Sequence, residues 1–361
     1  MCSRKIQKEV TFDGDIIIII ESLEQFKDSD MESNIRFWLP KTFPNRIRFI
    51  VTADQKSDSY TYLKDIGCDI LSVQADKSVY TNIVKNLRLR KSFCSPEHHE
   101  KCFNYIENKF NDGIITNALY IKTFCSSFVP YENNVISRDE LKVDEIDQVY
   151  ENFDLLVFDN LKTTEALMEY ILEFYEDRLM PKEKFMKLCN ILNLTFKGLS
   201  EQEMHRIVNF GKNEWQKMVA VFKSFFFYYQ GFWKVSNELF RKAVHNRYHK
   251  NCEEQVNECH YEIAQTLESS PNCVRKQEEI TSHLFRAKRF YELKQVLSNI
   301  ETFLLLFNPS TKYDLCRYWQ ILEENQMDPV NEYNKGLESF EMHFNPKAEE
   351  LFTIILQICR Y

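Results

Sequence analysis

Glycine is so scarce in this chain that its absence constrains the fold more than any other sequence feature. Only 7 of the 361 residues are Gly, whereas Gly usually makes up about 7% of a globular protein. Because Gly allows sharp turns and close approach of the backbone to a phosphate, a chain with so few can build few such loops. Aromatic residues make up 14% of the sequence. The composition predicts a mostly helical, aromatic-rich globular chain and weakens collagen-like, linker-like and Gly-rich nucleotide-binding interpretations.

Charge and cysteine usage favour a cytoplasmic protein with no membrane and no nucleic-acid partner. The chain carries 46 Lys and Arg against 54 Asp and Glu, a net charge of −8, which argues against attraction to nucleic acid or anionic lipid. The apolar run Ile16–Ile20 is far shorter than the about 20 residues of a membrane span, and no signal peptide precedes it. The 11 Cys residues include no CxxC pair, which is typical of free thiols in a reducing compartment.

Residues 1–75 alternate strand and helix signals. Ile16–Ile20 is a continuous β-branched run, as expected for a strand covered on both faces. Residues 35–40 predict the end of a helix, residues 46–52 a second strand, and residues 70–73 a third. Strands and helices that alternate in this way predict a parallel sheet. Three strands make a small sheet, so this region is interpreted as a partial α/β domain.

The remaining chain divides by pattern into five further segments. An acidic stretch indicates a solvated linker and a domain boundary. After it, helical periodicity leads to two aromatic runs around Gln230-Gly231, a hairpin signal, and this order is typical of a winged helix. The predicted segments are a helical segment at 76–137, an acidic linker at 138–162, a winged-helix-like domain at 163–250, a helical domain at 251–328 and a tetratricopeptide-like repeat at 329–361.

Three residues near the end match the spacing of one 34-residue tetratricopeptide unit. Gly336, Ala348 and Phe352 lie 12 and 4 positions apart, as the small, small and aromatic positions of such a unit do. Small residues let two helices approach closely, and the aromatic ring fills the gap to the next unit. A helical hairpin can also show this spacing by chance. One repeat is unstable alone, so it must stack on neighbouring helices.

Five stretches of the sequence, in order along the chain, resemble motifs of known NTPases. Residues 16–26 resemble a Walker B strand and the helix after it, and residues 37–52 resemble the passage that ends in sensor 1. The three later stretches lie at 117–121, 198–203 and 275–284. This order resembles the signal-transduction NTPases with numerous domains, the STAND class that includes NACHT proteins, in the subgroup with C-terminal tetratricopeptide repeats. The resemblance implies a fold that is mainly α with a partial α/β N-terminal domain, a winged helix and an α-helical repeat-like scaffold.

The resemblance also implies ATP binding, which the residues do not support. A P-loop needs GxxxxGK[ST], yet the one Gly-Lys pair, Gly211-Lys212, is followed by Asn and lies in the helical region. The resemblance places Glu21 at the Walker B Asp position, Glu24 as a stand-in general base and Thr52 as a sensor. The simpler interpretation is that the two Glu residues begin a solvated helix and that Thr52 is a strand-end hydroxyl. We therefore expect no ATPase activity and no cofactor.

Two Cys and His groups have the residue types of a zinc site but not the spacing. Cys94, His98 and Cys102 fall at i, i+4 and i+8 beside His99, and ligands eight residues apart on one helix are too distant to share one ion. A second group contains Cys252, Cys259, His260 and Cys273, and it is interpreted as core and surface residues. We expect no metal site.

A basic cluster lies beside the predicted winged helix, a fold that often binds DNA. It contains Arg241, Lys242, His245, Arg247, His249 and Lys250. The helix that would enter a groove, residues 214–223, has few basic residues and many apolar ones, so we interpret it as a packing helix. No nucleic-acid binding is predicted.

These patterns predict a non-catalytic scaffold that binds protein partners through helical repeats. The alternative is a nucleoside triphosphatase that takes its P-loop from a missing N-terminal region, because the chain begins downstream of the place where the family has one. A third interpretation is a shortened chain without function.

Overall fold

The structure is a computed structural model of the 361-residue chain. It describes residues 16–21, 23, 42, 46–55, 57–71, 77–114, 117–131, 141–250, 252–309 and 311–359. The chain divides into two compact units, residues 1–74 and residues 75–361, which are treated separately below. Over the described residues the chain is mainly helical, which confirms the mainly α part of the predicted fold class.

Two short parallel strands form the sheet of the first unit. Strand β1 spans Ile16–Ile20 and strand β2 spans Ile47–Val51, paired in register over their full length. The parallel direction agrees with the sequence pattern, but the predicted burial of β1 on both faces is wrong. Ile17 and Ile19 are 58% and 64% exposed. A run of identical β-branched residues indicates a strand, but it does not show whether an element covers each face.

Helix α1 (Asp58–Asp65) completes the described part of this unit. Its first turn is capped by the Ser57 hydroxyl, which accepts a hydrogen bond from the backbone N–H of Tyr60 at 3.2 Å. A small core forms from Leu23 and the α1 side chains Tyr62 and Leu63. The predicted third strand at 70–73 is not a strand at its two described positions, 70 and 71, and the helix predicted at 35–40 lies outside the described residues.

The second unit begins with three helices. They are α2 (Lys77–Arg88), α3 (Pro96–Asn111) and α4 (Ala118–Phe128). The Ser95 hydroxyl caps α3 by accepting from the backbone N–H of His98 at 3.4 Å. Helix α4 is apolar on most sides and contributes Phe124 and Phe128, both fully buried, to the core.

The acidic segment packs into this core and does not form a free linker. It contains α5 (Val143–Asp147) and two 3-10 turns, at 148–150 and 155–160. From residue 141 onward its acidic side chains are exposed or half-buried, but Ile146 and Phe158 are buried. The ring of Phe158 lies 5.0 Å from the rings of both Phe124 and Phe128. Charge density predicted solvation correctly for one face only, because the apolar residues between the carboxylates anchor the other face.

The middle of the unit is a helical cluster closed by a hairpin. Its elements are α6 (Thr164–Tyr175), α7 (Lys182–Leu194), α8 (Glu201–Val208), α9 (Lys212–Phe222), β3 (Phe226–Tyr229), β4 (Phe232–Val235) and α10 (Glu238–Val244). Strands β3 and β4 are antiparallel, and the turn residues Gln230 and Gly231 have φ values of 50° and 86°. Trp233 of β4 also exchanges two backbone hydrogen bonds with Leu199, at 2.8 and 3.0 Å, on the side of β4 that does not pair with β3.

Local sequence signals in this cluster are accurate to within one residue. The sequence from Ser200 to Glu203 has the pattern of a capping box, and the box forms, with Ser200 accepting from the backbone N–H of Glu203 and the Glu203 carboxylate accepting from the backbone N–H of Ser200. Ser236 after the hairpin has the residue type of a helix N-cap, but the helix is capped by Asn237, one residue later. Helix α9 is buried along most of its length, which agrees with its interpretation as a packing helix.

Helices form most of the described chain after α10. After a π-helical turn at His245–His249 come α11 (Glu253–Glu268), α12 (Val274–Arg286), α13 (Phe290–Ser298), α14 (Ile300–Leu306), α15 (Lys312–Glu324), α16 (Pro329–Phe344) and α17 (Ala348–Cys359). One connected core runs through the second unit from α2 to α17. The predicted boundaries inside this unit stay a prediction.

Candidate protein-interaction surface

The residues of the predicted nucleotide site lie at the end of the parallel strands. Glu21 follows β1 and is exposed, and Thr52 follows β2. The backbone joins the two strand ends, because the N–H of Thr52 donates to the carbonyl oxygen of Ile20 and the N–H of Leu23 donates to that of Thr52, both at 2.9 Å. The fold therefore brings Glu21 and Thr52 to one edge. Glu24 lies outside the described residues, and a role in nucleotide binding stays a prediction.

The first Cys and His group contains a hydrogen-bonded pair. The Nε2 atom of His98 lies 3.4 Å from the Sγ atom of Cys102 and 2.9 Å from the carbonyl oxygen of Phe128. Burial raises the pKa of the Cys102 thiol far above its ordinary value, so the group is a neutral thiol. Across the described residues, the fold assembles no group of three or more His, Cys, Asp or Glu side chains that could hold a metal ion.

Gly336 lies at the closest helix contact near the end of the chain. Helix α16 crosses the junction of α13 and α14, and a Cβ atom at position 336 would lie 2.1 Å from the carbonyl oxygen of Ser298. Such a distance leaves no room for a side chain. Gly336 therefore lies at a close contact with the backbone of the preceding helices, and its role as a small position of a repeat stays a prediction.

Buried polar contacts fix α16 in this position. The indole N–H of Trp319 on α15 donates to the hydroxyl oxygen of Tyr333 at 2.9 Å, and both side chains are buried. The ammonium group of Lys294 on α13 lies 3.1 Å from the carboxylate of Glu332, with about 15% of each side chain exposed. A buried donor that loses its acceptor costs about 1–3 kcal/mol, so these contacts orient the helix as well as hold it.

Ala348 and Phe352 lie on the opposite, exposed side of the last helix. Ile354 is the buried residue of α17, whereas Phe352 is 62% exposed. Phe352 continues at i+3 and i+4 into Ile355 and Leu356, which are also exposed. We call these three residues the end stripe. Their repeat role is a prediction, since that role would require a further helix to cover the stripe.

A groove lies between α16 and the junction of α13 and α14. Its volume is about 530 Å³, and its lining includes Ile300, Gly336, Phe340 and Phe344. The rings of Phe340 and Phe344 stack at 4.8 Å. The rest of the lining is polar and contains Gln295, Ser298, Asn299, Glu301, Lys335, Ser339 and His343.

The sequence analysis missed a buried polar network between α11 and α12. His260 and His283 join through their Nδ1 atoms at 2.6 Å, and His283 Nε2 lies 3.0 Å from a carboxylate oxygen of Glu279. The hydroxyl of Thr195 donates to the other carboxylate oxygen at 2.8 Å. All of these side chains are buried. The i, i+4 spacing of Glu279 and His283 was the available signal, but their partners come from elsewhere in the chain.

Comparison with known proteins gives one informative match. Over 323 residues the chain is 24% identical to a TPR repeat-containing protein of Dictyostelium discoideum. The chain is similar to a repeat protein. The aligned region covers 88% of this chain and 18% of that protein, so the chain spans about a fifth of the length of its relative. No family model and no solved structure matches the chain.

Within the described residues no helix combines the length and the apolar character needed to cross a membrane. The longest helices of the second unit instead carry charged residues on their exposed sides, and their buried residues belong to the common core.

Proposed function

We propose that this chain is a non-catalytic protein-interaction scaffold with TPR-like helical repeats. The observation that carries the proposal is the end stripe, an apolar row left exposed on a helix whose other side is buried. Large apolar side chains in a row at i, i+3 and i+4 are the pattern by which a helix packs on another helix. The similarity to a TPR repeat-containing protein supports the same function.

The proposal extends to the origin of the scaffold. The motif order resembles that of a degenerate STAND-type NTPase, and within that class it most resembles the vertebrate tetratricopeptide repeat protein 41. The backbone of Leu199 pairs with that of Trp233 in a single bridge on the free side of β4. Helices followed by a β-hairpin are parts of a winged helix, and on this basis we assign residues 163–250 to that module. In this proposal its helices pack, and they bind no nucleic acid.

Site-specific photo-crosslinking tests the scaffold function. A photoreactive phenylalanine analogue is placed at position 352 in the full chain, and in a matched control at position 353, an exposed Thr on the polar side of the same helix. We expect position 352, expressed in cells, to give discrete crosslinked protein species that position 353 does not give. Identical patterns from both positions would show that the end stripe is no interaction surface.

The alternative function is a nucleoside triphosphatase whose P-loop lies in another part of a longer protein. The observation in its favour is that Glu21 and Thr52 share one strand edge, in a chain that spans a fifth of its relative. Titration calorimetry with ATP separates the two functions. The scaffold proposal expects no micromolar, Mg²⁺-dependent binding, whereas such binding, lost in Glu21→Gln, would establish the alternative.

A further inference from the structure

Four members of the basic cluster found in the sequence line a cleft between α10, the π-helical turn and helices α11 and α12. The cleft has a volume of about 840 Å³, large enough for a small molecule. Cationic and imidazole side chains line it from two sides. Arg241, Lys242, His245 and His249 come from α10 and the turn, whereas His260 and Arg286 come from α11 and α12. Residues far apart in the sequence therefore converge on one concave surface.

Arg241 is held in place without a carboxylate partner. Its guanidinium group donates to the carbonyl oxygens of Asn193 at 2.9 Å and Val235 at 2.7 Å. Over the described part of the chain it makes no ion pair within 4 Å. A guanidinium group has five N–H donors, so three remain after these two bonds. Because the two carbonyl groups already orient the side chain, a ligand would bind to it with a small loss of conformational entropy.

The charges of the cleft are not balanced from within. Two carboxylates line it, Glu238 and Glu253. Glu253 is paired with Lys288 at 2.7 Å. The negative charge of Glu238 then stands beside the three positive charges of Arg241, Lys242 and Arg286. This local excess of positive charge stands out in a chain of net charge −8. Like charges confined to a concave surface create a positive potential that favours anions.

Burial is the main cause of the pKa shifts of the lining groups. Burial, and then the neighbouring His245, lower the pKa of His249. Burial lowers the pKa of His260 to about 3, with smaller contributions from His283, Arg286 and His249. Burial also lowers the pKa of Arg241, against a smaller opposing effect of Glu238. Each of these groups would gain from an anion nearby.

An uncharged hydrogen-bonding group completes the lining. The Oδ1 atom of Asn193 is buried and has no hydrogen-bond partner among the described residues. A buried acceptor without a partner is rare in folded proteins. A ligand with a hydroxyl or amino donor beside its charge would satisfy this atom.

We propose that the cleft binds a small molecule that carries a phosphate or diphosphate group. Fixed guanidinium donors, flexible Lys and Arg side chains and imidazoles together are the donor set that recognises phosphate oxygens. The cleft lies among helices of the second unit, away from the strand edge of Glu21 and Thr52 in the sequence, and the proposal does not depend on the scaffold function.

Titration calorimetry with inorganic pyrophosphate, without Mg²⁺, tests the proposal on the full chain. We expect saturable binding to one site, weakened about tenfold or more in the double variant Lys242→Gln/Arg286→Gln, since charge-assisted hydrogen bonds are lost. Both residues are exposed, so the variant is expected to fold. The control Lys250→Gln removes an exposed charge that does not line the cleft, and it should bind as the parent chain does.

Four results would overturn the proposal. The first is absence of pyrophosphate binding at millimolar concentration, and the second is unchanged affinity in the double variant. The third is equal displacement by sulfate, which would show a general anion effect. Tighter binding of a phosphoserine peptide than of pyrophosphate would assign the cleft to a protein ligand and would also reject the small-molecule proposal. A change at Arg241, Arg241→Met, should abolish binding if it leaves the melting temperature intact.

Discussion

Gly336 shows at the scale of one residue why the end of the chain packs as it does. The scarcity of Gly and the repeat spacing both single it out in the sequence, and the structure gives the reason in the carbonyl oxygen of Ser298, where no Cβ atom fits. The sequence could not identify that carbonyl group, because it belongs to an element 38 positions earlier. Spacing identifies a small position, but only the fold identifies what approaches it.

Replacing Gly336 by Ala should therefore destabilise the chain. In an exposed helix this change stabilises by up to about 1 kcal/mol through helix propensity. Here we expect the opposite sign, a loss of about 1–3 kcal/mol, because α16 must move away from the backbone it contacts. Urea unfolding of the full chain measures the effect, with Asn334→Ala on the exposed side of the same helix as control. Equal or greater stability in Gly336→Ala would show that the close contact is absent.

The buried side chain of His260 makes the free energy of unfolding depend on pH. Burial first, and then His283, Arg286 and His249, lower its pKa to about 3 from 6.5. In the unfolded chain the ring takes up a proton below pH 6.5, but in the folded chain it stays neutral. The stabilising contribution is present above pH 6.5 and is lost as the pH falls toward 3, by about 1.4 kcal/mol per pH unit.

The contribution of His260 can be separated from that of other titrating groups by comparing how the free energy of unfolding of two chains depends on pH. The free energies of unfolding of the parent chain and of His260→Gln should differ most at neutral pH and converge as the pH falls from 7 to 4.5. His343→Gln, a change at an exposed His, controls for general titration. If the pH profiles of the parent chain and His260→Gln run parallel, the His260 ring is not held neutral in the folded chain.

At the scale of elements, the hairpin of β3 and β4 is the clearest case of sequence-encoded structure. Aromatic runs flank a Gln-Gly pair, and both turn residues adopt positive φ, as a two-residue hairpin turn requires. The capping box at Ser200 is another such case. These elements could be predicted because all of their determinants lie within a few residues. The exposed face of β1 could not, because burial of a strand face depends on elements elsewhere in the fold.

The same turn predicts a stabilising substitution. Gln230 holds a φ of 50°, which Asn tolerates better than Gln does. Gln230→Asn should raise the free energy of unfolding by about 0.5 kcal/mol, measured by urea or thermal unfolding. Gly231→Ala, at φ 86°, should lower it. A stabilising effect of the Ala change would show that the turn has a different backbone.

At the scale of the whole chain, the acidic segment shows that charge density alone does not predict whether a segment packs into the core. Its charge density predicted a linker, but Ile146 and Phe158 place it inside the core of the second unit. The helical character of the chain followed from periodicity, and similarity to a TPR repeat-containing protein agrees with a helical, repeat-like scaffold. The repeat unit at 329–361, which rests on residue spacing, stays a prediction. The network of His260, His283 and Glu279 could not be predicted from the sequence, because only tertiary packing brings its members together.

In the proposed function the end stripe binds a protein while it contributes little to the fold. The double variant Phe352→Glu/Leu356→Glu tests it directly, with the photoreactive analogue at position 355 and Thr353→Glu as the matched charge control. Both substituted side chains are exposed, so we predict an unchanged melting temperature together with loss of the crosslinked partner, which the control retains. If the crosslinked partner persists in the double variant and the melting temperature is unchanged, the end stripe does not bind that partner.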